Sequence, residues 1–153
     1  MMDETRFEPV IEILSEPSPA DEAAILARLI AYNEEAGGPA RYTPFNLVVR
    51  HPESGEAIGG MVGSSGYDWL YIDLFVIPKE MRRQGFGSRL IAMAEAEARR
   101  RGCIGIWLDT YIFQARPFYE KHGFVCCGEI LDHPRGGARY FMQKRLDGAP
   151  LQR

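Results

Sequence analysis

Apolar positions along this chain recur with two periods, and the switches between them lay out its elements. Leu70-Tyr-Ile-Asp-Leu-Phe-Val-Ile77 is a strand-length apolar run. After a short turn, Leu90, Ile91, Ala94 and Ala98 recur on one face of a helix that runs to Arg101. Strict alternation along the strand puts Tyr71, Asp73 and Phe75 on one face and Leu70, Ile72, Leu74 and Val76 on the other. Upstream, Val10 to Leu14 reads as a short first strand between Pro9 and Pro17. Ser18-Pro19-Ala20-Asp21 then starts a helix, with Ser18 as N-cap, Pro19 in the first turn and Asp21 as the capping-box acid. Ile25, Leu26, Leu29 and Ile30 form its apolar face, and Gly37-Gly38-Pro39 stops it.

Phe45 to Arg50 and Ala57 to Gly63 read as a hairpin around Pro52-Glu53-Ser54-Gly55. Gly59-Gly60 within it suggests a bulge or a close backbone approach, and Ser64-Ser65-Gly66 reads as a loop. Downstream come a strand from Cys103 to Asp109 and a short helix from Ala115 to His122, ended by Gly123. Phe124 to Leu131 and Arg139 to Leu146 make a closing hairpin. The expected order is β-α-β-β-β-α-β-α-β-β, an α/β fold with antiparallel pairs and at least one crossover helix.

Charge changes this picture little. On the helix ending at Arg101, Glu95 with Arg99 and Glu97 with Arg101 are spaced for i,i+4 ion pairs. Arg99-Arg100-Arg101 followed by Gly102 reads as cations at a helix C-terminus rather than a nucleic-acid patch. The net charge of −3 over 153 residues excludes a large basic footprint. Length, no internal repeat and no low-complexity linker point to one domain over residues 1–153. Cys103, Cys126 and Cys127 lie in apolar runs without metal spacing, so core thiols in a reducing cytoplasm are expected, and no metal. No apolar run reaches membrane-spanning length, and the acidic start does not read as a signal peptide.

The candidate chemistry sits between the Leu70–Ile77 strand and its helix, in Arg82-Arg83-Gln84-Gly85-Phe86-Gly87-Ser88. Glycines at a strand-to-helix handover let a ligand approach the backbone, and the helix N-terminus offers unpaired N–H groups to phosphate. A P-loop needs a Lys after its second glycine, and none follows. A dinucleotide fingerprint needs a third glycine where Leu90 stands.

The remaining pattern, Arg82-x-x-Gly85-x-Gly87, resembles the acyl-CoA motif of the GNAT superfamily of N-acetyltransferases. Phe118-Tyr119-Glu120-Lys121-His122-Gly123-Phe124 resembles the tyrosine helix of that family, and element order agrees from about Phe45 to Leu146. The resemblance implies a mixed, mostly antiparallel sheet with a splayed parallel strand pair and flanking helices. It also implies acetyl-CoA as cosubstrate. Backbone N–H groups from Arg83 to Ser88, with the Arg82 and Arg83 side chains, would grip the pyrophosphate. Leu74, Phe75 and Val76 would pair with pantetheine, and a backbone N–H near Val76 would polarise the thioester carbonyl. Tyr119 stands at the general-acid position, its ordinary pKa of about 10 keeping it protonated at neutral pH. Phe118 beside it reads as packing and belongs to the cofactor-binding set.

An attacking ammonium must lose a proton. Asp73, a carboxylate inside an apolar strand, is the first candidate for base or amine anchor, and Asp109 the second. His51, His122 and His133 read as solvated. Where many relatives carry an Asn ahead of the tyrosine helix, this chain has Tyr111-Ile112-Phe113-Gln114-Ala115-Arg116-Pro117; Gln114 offers the same amide chemistry. Resemblance puts the acceptor site at about Ala20 to Tyr42 and Leu131 to Tyr140, where Glu34, Glu35, Asp132, Tyr32 and Tyr42, with Tyr67, are candidates to receive a cationic amine.

The leading expectation is direct N-acetyl transfer to a primary amine, small-molecule or protein-borne, without nucleic acid or membrane and compatible with a homodimer. The competing readings are a non-catalytic acyl-CoA-binding module and a nucleotide-phosphate-binding regulatory domain.

Overall fold

The computed structural model describes residues 7–151, in two compact units, Met1–Pro39 and Ala40–Arg153. The first holds helix α1, Pro19–Gly37. Its cap is as expected: the Asp21 N–H donates to Ser18 Oγ at 3.3 Å, and Gly38, at φ 80°, closes the other end. Val10 to Leu14 corrects the expected first strand. It carries no regular structure, because a strand exists only within a ladder and nothing pairs with this segment among the described residues.

The second unit contains strands β1 (Thr43–Arg50), β2 (Ala57–Gly66), β3 (Trp69–Val76), β4 (Gly105–Tyr111), β5 (Val125–Leu131) and β6 (Ala138–Arg145). Helix α2, Phe86–Arg100, connects β3 to β4, and α3, Arg116–Lys121, connects β4 to β5. The six strands form one sheet in the order β1-β2-β3-β4-β6-β5, with every neighbouring pair antiparallel except β3 and β4. Leu90, Ile91, Ala94 and Ala98 of α2 are buried in one core with Met61, Leu70, Ile72, Ile106, Leu108 and Met142 of the sheet. The helical period read from the sequence is therefore the face that packs.

Ser64 to Gly66 belong to β2 rather than to a loop. The hairpin closes instead at Tyr67-Asp68, both with positive φ (46° and 67°), the hand that matches strand twist in a two-residue turn. Gly60 makes the close approach expected of it, since a Cβ there would lie 2.0 Å from the Leu47 carbonyl oxygen.

The expected alternation along β3 fails at Asp73. Val62 pairs with Leu74 and Gly63 with Ile72, leaving Asp73 as the extra residue of a β-bulge. The phase flips there. Leu70 and Ile72 before the bulge, and Phe75 and Ile77 after it, meet the core, while Leu74 and Val76 are 59% and 55% exposed. Gly63 permits the bulge, because a Cβ on it would sit 2.0 Å from the Tyr71 carbonyl oxygen. The β3–β4 ladder also stops here, at Ile72 opposite Leu108, although both strands continue.

The α2 ion pairs differ in part from expectation. Glu97 holds Arg101 at 2.8 Å. Glu95 instead pairs with Lys144 of β6 at 2.5 Å, and Arg99 donates to the Leu146 carbonyl at 2.6 Å. Among the cysteines, Cys103 is buried and Cys126 half-buried, but Cys127 is exposed. It is the residue skipped by the ladder of β5, the strand at the sheet's edge.

Candidate active site

Where β3 and β4 part, a cavity of about 1000 Å³ opens. Its walls come from both strands, the turn before α2, and α3. Of the residues singled out from sequence, Asp73, Leu74, Phe75, Val76, Arg82, Arg83, Gly85, Gly87, Ser88, Asp109, Gln114, Phe118 and Tyr119 all line it. Gln84 and Phe86 do not. The Gln84 side-chain amide turns back to donate to the Glu80 carbonyl at 3.0 Å.

The turn is shaped by its two glycines in different ways. Gly85 caps α2 with φ 80°, and space stands open where its side chain would be. Arg83, two residues earlier, is also left-handed, at φ 61°. Gly87 lies under the Phe118 ring: a Cβ there would be 2.9 Å from Phe118 Cε2. The first glycine bends the chain and the second seats α3 against α2. Arg82 is held by a 3.3 Å bond from Nε to the Ile77 carbonyl.

Leu74 to Val76 pair with β2 along one edge and have lost β4 on the other, so backbone donors and acceptors border the cavity. Tyr119, on the facing helix, is 7% exposed and surrounded by Phe75, Phe118 and Phe124. Burial, helped by the negative charge of Asp109, pushes its phenol up to about 12, so the hydroxyl stays protonated far above neutral pH.

The two carboxylates differ in their partners. Asp109 is ion-paired with Arg139, accepting from Nε at 2.7 Å and from the second guanidinium nitrogen at 2.6 Å. Asp73 accepts one hydrogen bond, from the Tyr71 hydroxyl at 3.2 Å. Burial, then the charges of Asp109 and Asp73, raise the Tyr71 phenol to about 12. At neutral pH Tyr71 is therefore a donor to Asp73.

Gln114 serves the loop. Its Oε1 accepts from the Tyr111 N–H at 2.7 Å and from Thr110 Oγ1 at 3.2 Å, while Thr110 Oγ1 accepts the Ala115 N–H at 3.4 Å. This network fixes the start of α3 and commits the amide oxygen.

His122 was expected in solvent and instead lines the cavity. Its Nδ1 lies 2.8 Å from the Phe118 carbonyl, which only accepts, so Nδ1 carries the proton; Nε2 meets Ser88 Oγ at 2.9 Å. The ring thus ties the end of α3 to the first turn of α2, and only its place in the tyrosine helix signalled this. Of the acceptor candidates, Tyr32, Glu34 and Glu35 lie on α1, Asp132 in the β5–β6 connection, and Tyr42 and Tyr67 around a second cavity taken up below. Among the described residues no group of three side chains is arranged to hold a metal ion, and no helix is long and apolar enough to cross a membrane.

Comparison with known proteins gives one consistent result. A family model described as the acetyltransferase (GNAT) family matches residues 7–124. The chain is 37% identical over 135 residues to an acetyltransferase of Agrobacterium fabrum, covering 88% of this chain and 98% of the relative. It is 43% identical over 95 residues to the blasticidin-S acetyltransferase of Streptomyces morookaense, covering 61% and 70% of the two chains. The crystal structure of an acetyltransferase from Bacillus cereus superposes with a TM-score of 0.75 at 32% identity, over 88% of this chain and 98% of that one. A Bacillus anthracis protein assigned as a streptothricin acetyltransferase, solved with acetyl coenzyme A, superposes with a TM-score of 0.55 at 28% identity, over 61% and 59% of the chains.

Proposed function

Because the chain belongs to the acetyltransferase (GNAT) family, whose donor is acetyl-CoA, we propose that it transfers the acetyl group directly to a primary amine within a ternary complex. The observation that carries this reading is the parting of β3 from β4 beyond Ile72 and Leu108. It brings an unpaired strand edge, a helix N-terminus, a protonated phenol and a carboxylate to one cavity.

The residues fit an acyl-CoA by their chemistry. The N–H groups from Arg83 to Ser88 and the α2 dipole suit the pyrophosphate, with Arg82 and Arg83 adding charge. The free edge of Leu74 to Val76 suits the amide-bearing pantetheine arm, and a backbone N–H near Val76 stabilises charge growing on the thioester oxygen. Gln114 contributes its amide nitrogen, and Phe118 packs beside the arm.

When bound, acetyl-CoA supplies an activated acyl carbon and a thiolate leaving group. Asp73 takes a proton from the incoming ammonium, directly or through water, and the neutral nitrogen forms the new C–N bond as the C–S bond breaks. Tyr119 gives its proton to the departing sulfur, the second proton lost by the nitrogen passes through water to restore the phenol, and Asp73 returns its proton to solvent. Of the two carboxylates, Asp73 is the base, because the charge of Asp109 is already neutralised by Arg139, whose two contacts both fall on Oδ1. Asp109 holds Arg139 in place. None of the three cysteines lines the cavity, which supports attack by the amine itself over an acyl-enzyme. The relationship to an enzyme named for blasticidin S supports a small-molecule acceptor.

Two measurements test this reading. Acetyl-CoA is expected to raise the melting temperature where ATP and NAD do not, and a panel of amines with acetyl-CoA is expected to release free thiol. Stabilisation by the nucleotides alone, or thiol release that no amine accelerates, would contradict it.

A further inference from the structure

A second cavity, of about 380 Å³, is lined by Tyr42, Tyr67, Trp69, Tyr71 and Trp107 with Ser64 and Gly66. Five of its seven residues are aromatic, and none is charged. Tyr71 and Trp107 stack at 4.1 Å between ring centroids, and Tyr42 meets Tyr67 edge-on at 6.2 Å. Rings in such numbers normally serve a core, yet Tyr42 is 60% exposed, and Tyr67 and Trp107 exceed a third.

Two features indicate that this arrangement is held at a cost. Tyr67 takes φ 46° in the β2–β3 turn, at a position where Asn, Asp or Gly is the unstrained choice and a bulky ring is not. Strain of this kind collects at ligand sites. The rings also stand over glycines. A Cβ on Gly66 would lie 2.5 Å from the Tyr42 ring, and one on Gly105 would lie 2.3 Å from the Trp69 ring.

The pocket adjoins the catalytic cavity through one residue. The Tyr71 ring lines the aromatic pocket, and its hydroxyl donates to Asp73, which lines the other. Along β3 the midpoint of Trp69 and Tyr71 stands three residues from Asp73, roughly 10 Å at the strand rise per residue. Uncharged aromatic walls favour cations through the ring quadrupoles. Trp69 already carries one, the Arg145 guanidinium at 5.8 Å, itself neutralised by Asp147 at 2.6 Å.

We propose that this aromatic pocket binds a cationic group of the acceptor, so that the acceptor carries a second ammonium or guanidinium about 10 Å from the nitrogen that is acetylated. The assignment of the acceptor end rests on the acetyltransferase reading above. The pocket's affinity for a cation does not.

Both tryptophans of the chain, Trp69 and Trp107, lie in this pocket, so intrinsic tryptophan fluorescence reports on it directly. An eight-carbon α,ω-diamine is expected to give a saturable fluorescence change without acetyl-CoA, and the eight-carbon diol none. Tyr67→Gly, which relieves the left-handed strain, is expected to keep or raise the melting temperature and to weaken diamine binding about tenfold. With saturating acetyl-CoA, thiol release should favour the diamine over the eight-carbon monoamine about tenfold in kcat/KM, a ratio falling towards one in Tyr67→Gly. Equal fluorescence responses to diamine and diol, no saturable response at all, or an unchanged affinity in Tyr67→Gly would overturn the proposal. Saturable, Tyr67-dependent diamine binding without any amine-stimulated thiol release would instead uphold the cation site and overturn the acetyltransferase reading.

Discussion

The Phe118 ring fills the place a side chain on Gly87 would need, 2.9 Å from Cε2 and 3.0 Å from Cζ, with Ile77 Cδ1 at 3.2 Å. Helices α2 and α3 are thereby locked to one another. Gly87→Ala must push α3 off α2 and is expected to cost about 1–3 kcal/mol of stability while weakening acetyl-CoA. Denaturant unfolding and acetyl-CoA titration of the variant check both effects, and unchanged values would mean the two helices are not coupled through this contact.

Asp73 is placed by a bulge, and its role is separable from cofactor binding. Asp73→Asn preserves shape and the Tyr71 partner while removing the proposed base. It is expected to lower kcat/KM for the amine by roughly 100-fold with acetyl-CoA affinity unchanged. Steady-state kinetics beside calorimetric titration make the comparison.

Tyr119 also leaves a mark on stability. Its phenol is raised from 10.0 to about 12 by burial first and Asp109 second. Between those values the unfolded chain has released this proton and the folded chain keeps it, so stability falls as pH rises from about 10 to 12. The full effect is up to about 3 kcal/mol. Tyr119→Phe lacks it, and the gap in melting temperature between the two proteins should narrow in the variant's favour across that window.

Arg101 and Arg100 both contact Glu97, yet only one is structural. Arg101 reaches the Thr43 carbonyl at 3.1 Å, the Pro44 carbonyl at 3.0 Å and Ser65 Oγ at 3.0 Å, its side chain 15% exposed; Arg100 is 72% exposed. Arg101→Ala is expected to cost about 1–3 kcal/mol and Arg100→Ala less than about 0.5. Urea unfolding of both variants measures the difference.

These contacts also mark what could be read along the chain and what could not. The buried face of α2, the Ser18 cap of α1 and the short helix ended by Gly123 rest on local periodicity and turn chemistry, and the structure matches them. The bulge at Asp73 depends on Gly63 in a neighbouring strand, so alternation read within β3 alone put Phe75 on the wrong face. Glu95 took Lys144 over Arg99, and His122 met Ser88, because partners distant in sequence outcompete a local i,i+4 pair or solvent. Tyr67 was legible only as a residue type. Its place in an aromatic pocket required the register of β2, β3 and β4.

The proposed mechanism has Tyr119 donating the proton to the leaving thiolate inside the cavity between β3 and β4. It is tested most directly by measuring Tyr119→Phe twice: acetyl-CoA affinity by calorimetry, and amine-dependent thiol release at saturating acetyl-CoA. The expected result is an unchanged dissociation constant and a kcat lower by about 100-fold or more. Full turnover in the variant would contradict it.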